Sequence, residues 1–349
     1  MNLFRLYKHL LFILPAEIAH NLAKYILKYN LILKPKKFED QILAQKIANI
    51  YFANPIGLAA GFDKNAEMIK ALAKFNFGFL EVGTVTPKPQ LGNKKPRLFR
   101  LKSDKAIINR LGFNNYGATK FKQNFQKNYS HQLPIGINIG KNKHTKSPIK
   151  DYLYLIEYFY NLADYITINI SSPNTPELRK IQEAEILEEF IDAVNEQRNL
   201  LGKKNLFLKI APDLTKKQLE NICKISLKYN INGLIIANTT IARENLTNKK
   251  FSTETGGLSG QPIFAKSNQM IAAAYKILQG RIPIIGVGGV SSAADAYHKI
   301  KLGANLVQIY TALIYEGLNL ATEINQDLVK LLKQDGHKNI SAAIGILSK

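Results

Sequence analysis

From Pro55 onward, short apolar runs alternate with segments whose apolar positions recur every three or four residues. The runs are Pro55–Ala59, Phe79–Val82, Ile135–Ile139, Tyr165–Ile170, Leu206–Ile210, Gly233–Ala237, Ile284–Val287 and Leu306–Ile309. Such runs suit strands buried on both faces. Helical periodicity marks the stretches near 64–76, 114–127, 150–162, 182–200, 215–229, 262–279, 292–302 and 317–333. Eight strand–helix alternations predict an α/β fold, a parallel (β/α)8 TIM barrel. Two segments are surplus to it. Arg97–Leu101 and Ala106–Leu111 flank a turn and predict a β-ribbon inserted between the second strand and its helix. Residues 238–261 form a second insertion, rich in Thr, Asn and Gly. Both follow the C-terminal ends of strands, where barrels of this kind carry their sites.

The first 33 residues follow a different pattern. Leu3, Leu6, Tyr7, Leu10 and Leu14 repeat at helical spacing until Pro15 interrupts. A second repeat runs through Ile18, Leu22, Tyr25, Ile26 and Tyr29, with Lys24 and Lys28 on the other side. The apolar run Leu10–Leu14 is far shorter than the ~20 residues that span a bilayer. It is also short for a signal peptide, and no clear small-residue cleavage site follows. Two readings remain: amphipathic helices that lie on a membrane surface, or a hairpin braced against the barrel. Lys34–Phe38 reads as a linker, which divides the chain into a helical extension, 1–37, and a barrel, 38–349.

Composition narrows the partners. At 349 residues and 46% hydrophobic content, the chain supports one large domain with a small appendage. Cys223 is the single cysteine, which excludes an intramolecular disulfide and fits a reducing compartment. It falls in Gln218–Leu227, a helical stretch facing the core. The formal charge of +22 is large, but the lysines are scattered and no aromatic-interleaved basic stripe is present. Nucleic acid is therefore not an expected partner. An anionic membrane surface and a simple compositional bias both remain open. The six histidines form no cluster with ligand spacing, so no metal site is expected.

The candidate chemistry sits at the strand ends. Thr167-Ile168-Asn169-Ile170-Ser171-Ser172-Pro173-Asn174-Thr175 begins as a strand and stops at a proline, which cannot continue a ladder. Amides donate and accept at once, so Asn169 and Asn174 suit a planar ligand with amide-like groups and a carboxylate. The first strand ends in Ala59-Ala60-Gly61-Phe62-Asp63-Lys64, where small residues let a flat ligand approach and Lys64 adds a positive charge. Lys209 lies inside an apolar strand and needs an anion, either a structural ion-pair partner or a ligand. Gly286-Val287-Gly288-Gly289, followed by Ser291 and Ser292, resembles the phosphate cup built after strands seven and eight of such barrels. A cup, two lysines and several asparagines together point to flavin mononucleotide, FMN.

These segments also resemble one family. Asn54 to Lys64, Gly83 to Pro87, Asn109 to Asn115, Asn169 to Thr175, Lys209 to Asp213, Asn238 to Thr240, Gly256 to Gly260 and Gly286 to Gly289 are similar to the motifs of dihydroorotate dehydrogenases. The resemblance runs from about residue 3 to 333 and is nearest the membrane-associated, quinone-dependent class. That class has an N-terminal helical extension, matched by Leu14 to His20, and a serine at the position of Ser172 where the soluble class has cysteine.

The resemblance implies that Ser172 is the base that removes a proton from C5 of dihydroorotate while a hydride passes from C6 to the flavin. Lys64, Asn109, Asn169, Asn174, Asn238 and Thr239 would enclose dihydroorotate or orotate, with Arg110, Leu111, Gly112 and Phe113 contributing main chain. One FMN per chain would rest on Ala60, Gly61, Phe62, Asp63, Lys64, Thr84, Asn138, Asn169, Lys209 and Ala237. Its phosphate would sit on Gly260, Gly289, Tyr310 and Thr311. Ala237 departs from the threonine often found there, at the cost of one side-chain contact. His20 and Arg100 would stand near the quinone. The implied setting is pyrimidine synthesis by a monomer held peripherally on the cytoplasmic face of a bacterial inner membrane. The step that oxidises dihydroorotate is expected to need nothing upstream of Asn54. A serine is a poor base, and its proton needs a relay, through Thr175 or a water. Alternatives are a soluble enzyme using fumarate or nicotinamide, which Ser172 and the extension oppose, and a basic binding protein without catalysis. A flavin barrel that reduces uridine in transfer RNA would need an active-site cysteine, and Cys223 is misplaced for that role.

Overall fold

The structure is a computed structural model that describes residues 4–202, 204–244, 246, 247 and 249–348. Two helices open the chain, α1 (Phe4–Ile13) and α2 (Ala16–Lys28), followed by a short hairpin, β1 (Gln45–Ile47) and β2 (Ile50–Phe52). The barrel begins with β3 (Ile56–Leu58), α3 (Ile69–Leu72) and β4 (Phe79–Val85). Strands β5 (Leu98–Leu101) and β6 (Ala106–Asn109) come next, then α4 (Gly117–Asn128), β7 (Ile135–Ile139), α5 (Pro148–Phe159) and β8 (Tyr165–Asn169). The chain continues through α6 (Ala184–Leu201), β9 (Leu206–Ile210), α7 (Lys216–Lys228), β10 (Gly233–Ile236) and β11 (Gly257–Gly260). It ends with α8 (Phe264–Leu278), β12 (Ile284–Val287), α9 (Ala293–Lys301), β13 (Leu306–Ile309), α10 (Thr311–Glu316) and α11 (Leu320–Gln334).

Eight of these strands close a parallel barrel in the order β3-β4-β7-β8-β9-β10-β12-β13, as the alternation predicts. Its lower interior is an aromatic and aliphatic layer of Phe79, Tyr165, Phe207, Ile235, Ile285 and Leu306. Glycines on neighbouring strands make room for the rings. A Cβ on Gly57 would stand inside the Phe79 ring, and one on Gly136 inside the Tyr165 ring. The β1–β2 hairpin, which no sequence pattern announced, plugs this end: Phe52 is fully buried, edge-on to Phe79 at 5.4 Å between centroids.

One expectation is corrected. The helix expected over 64–76 is only the single turn α3, because the Asp63 carboxylate accepts from the N–H groups of Glu67 and Met68 and holds that stretch as a loop. The last expected helix, near 317–333, is α11, and a short helix that the sequence did not announce, α10, precedes it and ends where Gly317 takes φ +84°. The ribbon β5–β6 stands where expected, and it gains a third strand, β11, from the second insertion. Cys223 is buried on α7, as its pattern indicates.

The helical pair packs over the loops that follow β3 and β4. Arg100 on β5 donates to the carbonyls of Leu11 and Leu14, which closes the otherwise unpaired C-terminus of α1. The Arg97 guanidinium meets Glu17 of α2 at 2.8 Å, and Lys28 meets Glu67 at 2.6 Å. Leu10, Ile13, Ile18, Leu22, Tyr25 and Tyr29 remain exposed on the outer side. Leu3 and the side chains of Arg5, Leu6 and Tyr7 lie outside the described residues. No helix among the described residues is long and apolar enough to cross a membrane.

The plug yields a test. Phe52→Ala should cost about 3–5 kcal/mol in denaturant unfolding, the usual loss for a buried aromatic. A change under about 1 kcal/mol would show that the hairpin does not seal the core.

Candidate active site

Above the aromatic layer the barrel interior turns polar. Glu81 on β4 is completely buried there. Its carboxylate accepts from Asn138 Nδ2 at 2.7 Å, Gln308 Nε2 at 2.8 Å and Thr167 Oγ1 at 3.2 Å, with Lys209 Nζ at 3.7 Å. A buried charge without partners would be very costly, so the anion that Lys209 requires is supplied by Glu81. Lys209 also lines the cavity above, so its ion-pair role and its site role coincide.

The next layer is a chain of amides and hydroxyls. Asn138 Oδ1 accepts from Thr84 Oγ1 at 2.5 Å and from Asn169 Nδ2 at 3.1 Å. Parallel register sets Asn169 beside Lys209 on the neighbouring strand. Asn169 Oδ1 in turn accepts from the Ser171 N–H at 3.2 Å and hydroxyl at 2.9 Å, and Asn238 Nδ2 donates to that same hydroxyl at 2.9 Å. The amides singled out in the sequence are therefore fixed by one another before any ligand arrives. Arg179 clamps the turns from outside. It donates to Ser171 O at 2.9 Å and Thr239 O at 2.8 Å, and pairs with Asp213 at 2.8 Å. Burial opposes the Asp213 charge, but hydrogen bonds from Lys266, Thr240, the Ile241 N–H and Arg179 hold its carboxyl below the usual range.

Ser172 is buried at the cavity wall, and its Oγ accepts from the Asn174 N–H at 3.2 Å. Asn174 Nδ2 reaches across to Asn109, donating to its main-chain oxygen at 3.0 Å and its Oδ1 at 3.2 Å. On the opposite side Lys64 Nζ donates to Gly61 O at 2.9 Å, and the Tyr310 hydroxyl donates to the same oxygen at 3.2 Å. Gly61 adopts φ +100°, a conformation that favours glycine. Burial, followed by the charges of Lys24 and Arg97, pushes Lys64 down to about 7. Burial, followed by the charges of Lys64 and Lys24, pushes His20 down to about 3, so its ring is neutral at ordinary pH. Gly260, Gly288, Gly289, Ser291, Tyr310 and Thr311 line the far end, where Gln261 Nε2 ties Gly289 O at 3.0 Å to Ser291 Oγ at 2.6 Å.

Most expected residues converge on this one cavity: Ala60, Gly61, Lys64, Thr84, Asn109, Leu111, Gly112, Phe113, Asn169, Ser172, Asn174, Lys209, Ala237, Asn238, Thr239, Gly260, Gly289, Tyr310 and Thr311. Six others do not line it. Asn138 lies beneath, acting through Thr84 and Asn169. Asp63 turns back to its own loop, and Arg110 faces Glu254 at 2.5 Å over the Phe99 ring. Phe62 stands between His20, 6.4 Å away, and Tyr310, 5.8 Å away, edge-on to each. Arg100 caps α1. Glu81, Gln308, Arg179 and Asp213 were missed. Glu81 carried a signal of the same kind as Lys209, a charge in an apolar strand, while Arg179 lies in an ordinary polar loop and offered none.

Fold and site together define a (β/α)8-barrel enzyme whose mouth is lined by amides, hydroxyls, lysines and glycines. A family model described as "Dihydroorotate dehydrogenase" matches residues 42–332. A protein of Bartonella tribocorum named "Dihydroorotate dehydrogenase (quinone)" is 46% identical over 346 residues, covering 97% of this chain and 96% of its own. One of the same name from Azorhizobium caulinodans is 43% identical, covering 99% of each. The crystal structure of a ligand-free DHODH from Eimeria tenella superposes with a TM-score of 0.92 at 37% identity, covering 96% of this chain and all of that one. The chain belongs to the dihydroorotate dehydrogenase family.

Proposed function

We propose that the protein oxidises dihydroorotate to orotate, using FMN and a membrane quinone as final electron acceptor, and so serves pyrimidine synthesis. The observation that carries this reading is the Ser172 hydroxyl at the wall of a cavity also lined by Lys64, Asn109, Asn174 and Asn238, beside a floor of Asn169 and Lys209. Family membership and the quinone in the names of the relatives support the acceptor.

The residues fit FMN. Gln308 Oε1 is buried without a hydrogen-bond partner and its residue lines the cavity, so an acceptor is available to a ring N–H. Lys209 stands 3.7 Å from Glu81, beyond hydrogen-bond length, which leaves its ammonium donors for a ligand. Thr84, Asn169 and Lys209 would hold the ring; Gly260, Gly289, Tyr310 and Thr311 would hold the phosphate. When bound, FMN supplies the acceptor for the hydride from C6 and relays two electrons to quinone. Ser172 Oγ takes the C5 proton as its own hydroxyl proton passes to water, and the Asn174 N–H stabilises the negative charge that this departure leaves on the oxygen. Lys64 offsets the substrate carboxylate, while Asn109, Asn174 and Asn238 match the amide edges of the ring. His20, Phe62 and Tyr310 form a row of rings from helix α2 to the cavity. With the exposed apolar side of α1 and α2, this row suits a passage for quinone from a membrane surface on which a monomer rests, at the cytoplasmic face of an inner membrane. The ring row together with Arg100, whose guanidinium lies 4.9 Å from the Phe12 ring, would form the entrance.

Purified protein given dihydroorotate with quinone, fumarate or nicotinamide should form orotate at speed with quinone alone. Ser172→Ala should keep flavin and orotate binding and lose flavin reduction by ~10²–10⁴-fold. Turnover with fumarate or nicotinamide instead of quinone would overturn the acceptor, and a loss under tenfold would remove Ser172 as base. Lys64 binds an anion only when protonated. Orotate affinity should therefore fall as pH rises above about 7, by at most ~tenfold per unit. Lys64→Gln should weaken and flatten that profile, and a flat wild-type profile between pH 6 and 9 would deny Lys64 the carboxylate.

A further inference from the structure

Asn93, in the loop between β4 and β5, does not line the site cavity and lies outside the motifs quoted above, yet it joins three walls of the site. Its Nδ2 donates to Arg110 O at 3.0 Å and to Asn174 O at 3.3 Å. Its main-chain N–H donates to Leu111 O at 3.1 Å, and its Oδ1 accepts from Lys143 Nζ at 2.9 Å. One side-chain amide thus spends both its donors and its acceptor on the 109–113 wall, the Ser172–Asn174 turn and the loop after β7. The preceding Gly92 takes φ +81°, and a Cβ there would strike Leu111 O. The closeness of this loop to the wall is therefore built into the backbone.

The same loop hangs from the helical pair. Arg97 Nη1 donates to Leu91 O at 2.7 Å and to Asn93 O at 3.1 Å. Its Nε and Nη2 both reach Glu17 Oε1 of α2, at 3.0 and 2.8 Å. Arg97 is almost entirely buried, so this forked contact is shielded from water and worth more than a surface pair. A continuous run of hydrogen bonds therefore leads from Glu17 through Arg97, Asn93 and Asn174 to the Ser172 hydroxyl.

We propose that Asn93 is a positioning residue for the dihydroorotate step, and that Glu17 of the helical pair sets it through Arg97. The proposal rests on the functional reading given above. On it, the helices do more than admit quinone. They help to hold the substrate turn closed, so the first half-reaction depends on residues upstream of Asn54, against the expectation from sequence. Glu17 does not line the cavity.

The test uses the full-length, flavin-loaded protein, with rapid anaerobic reduction by dihydroorotate and reoxidation by quinone followed separately. Asn93→Asp keeps shape and the Lys143 contact but removes both donors. It should raise the dihydroorotate KM and the orotate dissociation constant at least fivefold, with flavin content and quinone reoxidation within twofold of wild type. Gly92→Ala, which pushes the loop off Leu111 without touching the amide, should reproduce the pattern. Glu17→Gln should give a smaller change in the same constants, and the Glu17→Gln, Asn93→Asp double variant should be no worse than Asn93→Asp alone. Unchanged constants in Asn93→Asp, equal loss in both half-reactions, or additive effects in the double variant would each overturn the proposal. If the wild-type flavin is not reduced by dihydroorotate at all, the functional reading fails and this proposal with it. Reduction of wild type with unaffected variants defeats the proposal alone.

Discussion

A carboxylate in the middle of a barrel costs several kcal/mol unless its neighbours satisfy it, and the neighbours of Glu81 come from four other strands. Asn138 on β7, Thr167 on β8, Lys209 on β9 and Gln308 on β13 all turn inward to meet it. Their side-chain directions are thereby settled from below. Asn138 then orients Thr84 and Asn169, and Asn169 orients Ser171, which receives Asn238. The order at the mouth descends from one buried charge, and the glycine-spaced aromatic layer beneath keeps water from reaching it.

The electrostatics of the mouth have the opposite sign. Lys64, Lys24 and Arg97 crowd one side, and burial there favours neutral forms, which brings Lys64 to about 7 and the neighbouring His20 to about 3. A site short of negative charge is prepared for an anion, because an arriving carboxylate restores the charge balance that burial has disturbed. The helical pair contributes to this through Lys24, whose charge lowers Lys64, while Glu17, which holds Arg97, acts in the opposite sense.

Much of this could be read from the chain. Eight apolar runs at strand length announced the barrel, and proline- and glycine-terminated strand ends such as Ser172-Pro173 and Gly288-Gly289 announced where its site would be. Lys209 was conspicuous because a charge in an apolar strand has few bland explanations. What escaped depends on contacts distant in sequence. The β1–β2 hairpin is too short for a periodic signal, and only the barrel floor gives Phe52 a reason to be buried. Residues 64–68 have helical spacing, but Asp63 caps their N–H groups locally and wins over periodicity. Arg179 and Asn93 are polar loop residues whose value lies in carbonyls supplied by segments tens of residues away.

The dependence on Glu81 can be measured directly by urea unfolding without added flavin, comparing Glu81→Gln, Lys209→Met and the double variant. If the pair is the keystone, Glu81→Gln should cost about 3–5 kcal/mol, mostly by leaving Lys209 buried and unpaired. The double variant should then be more stable than Glu81→Gln alone, since the stranded charge is gone. Costs that simply add, or a Glu81→Gln protein as stable as wild type, would contradict the account.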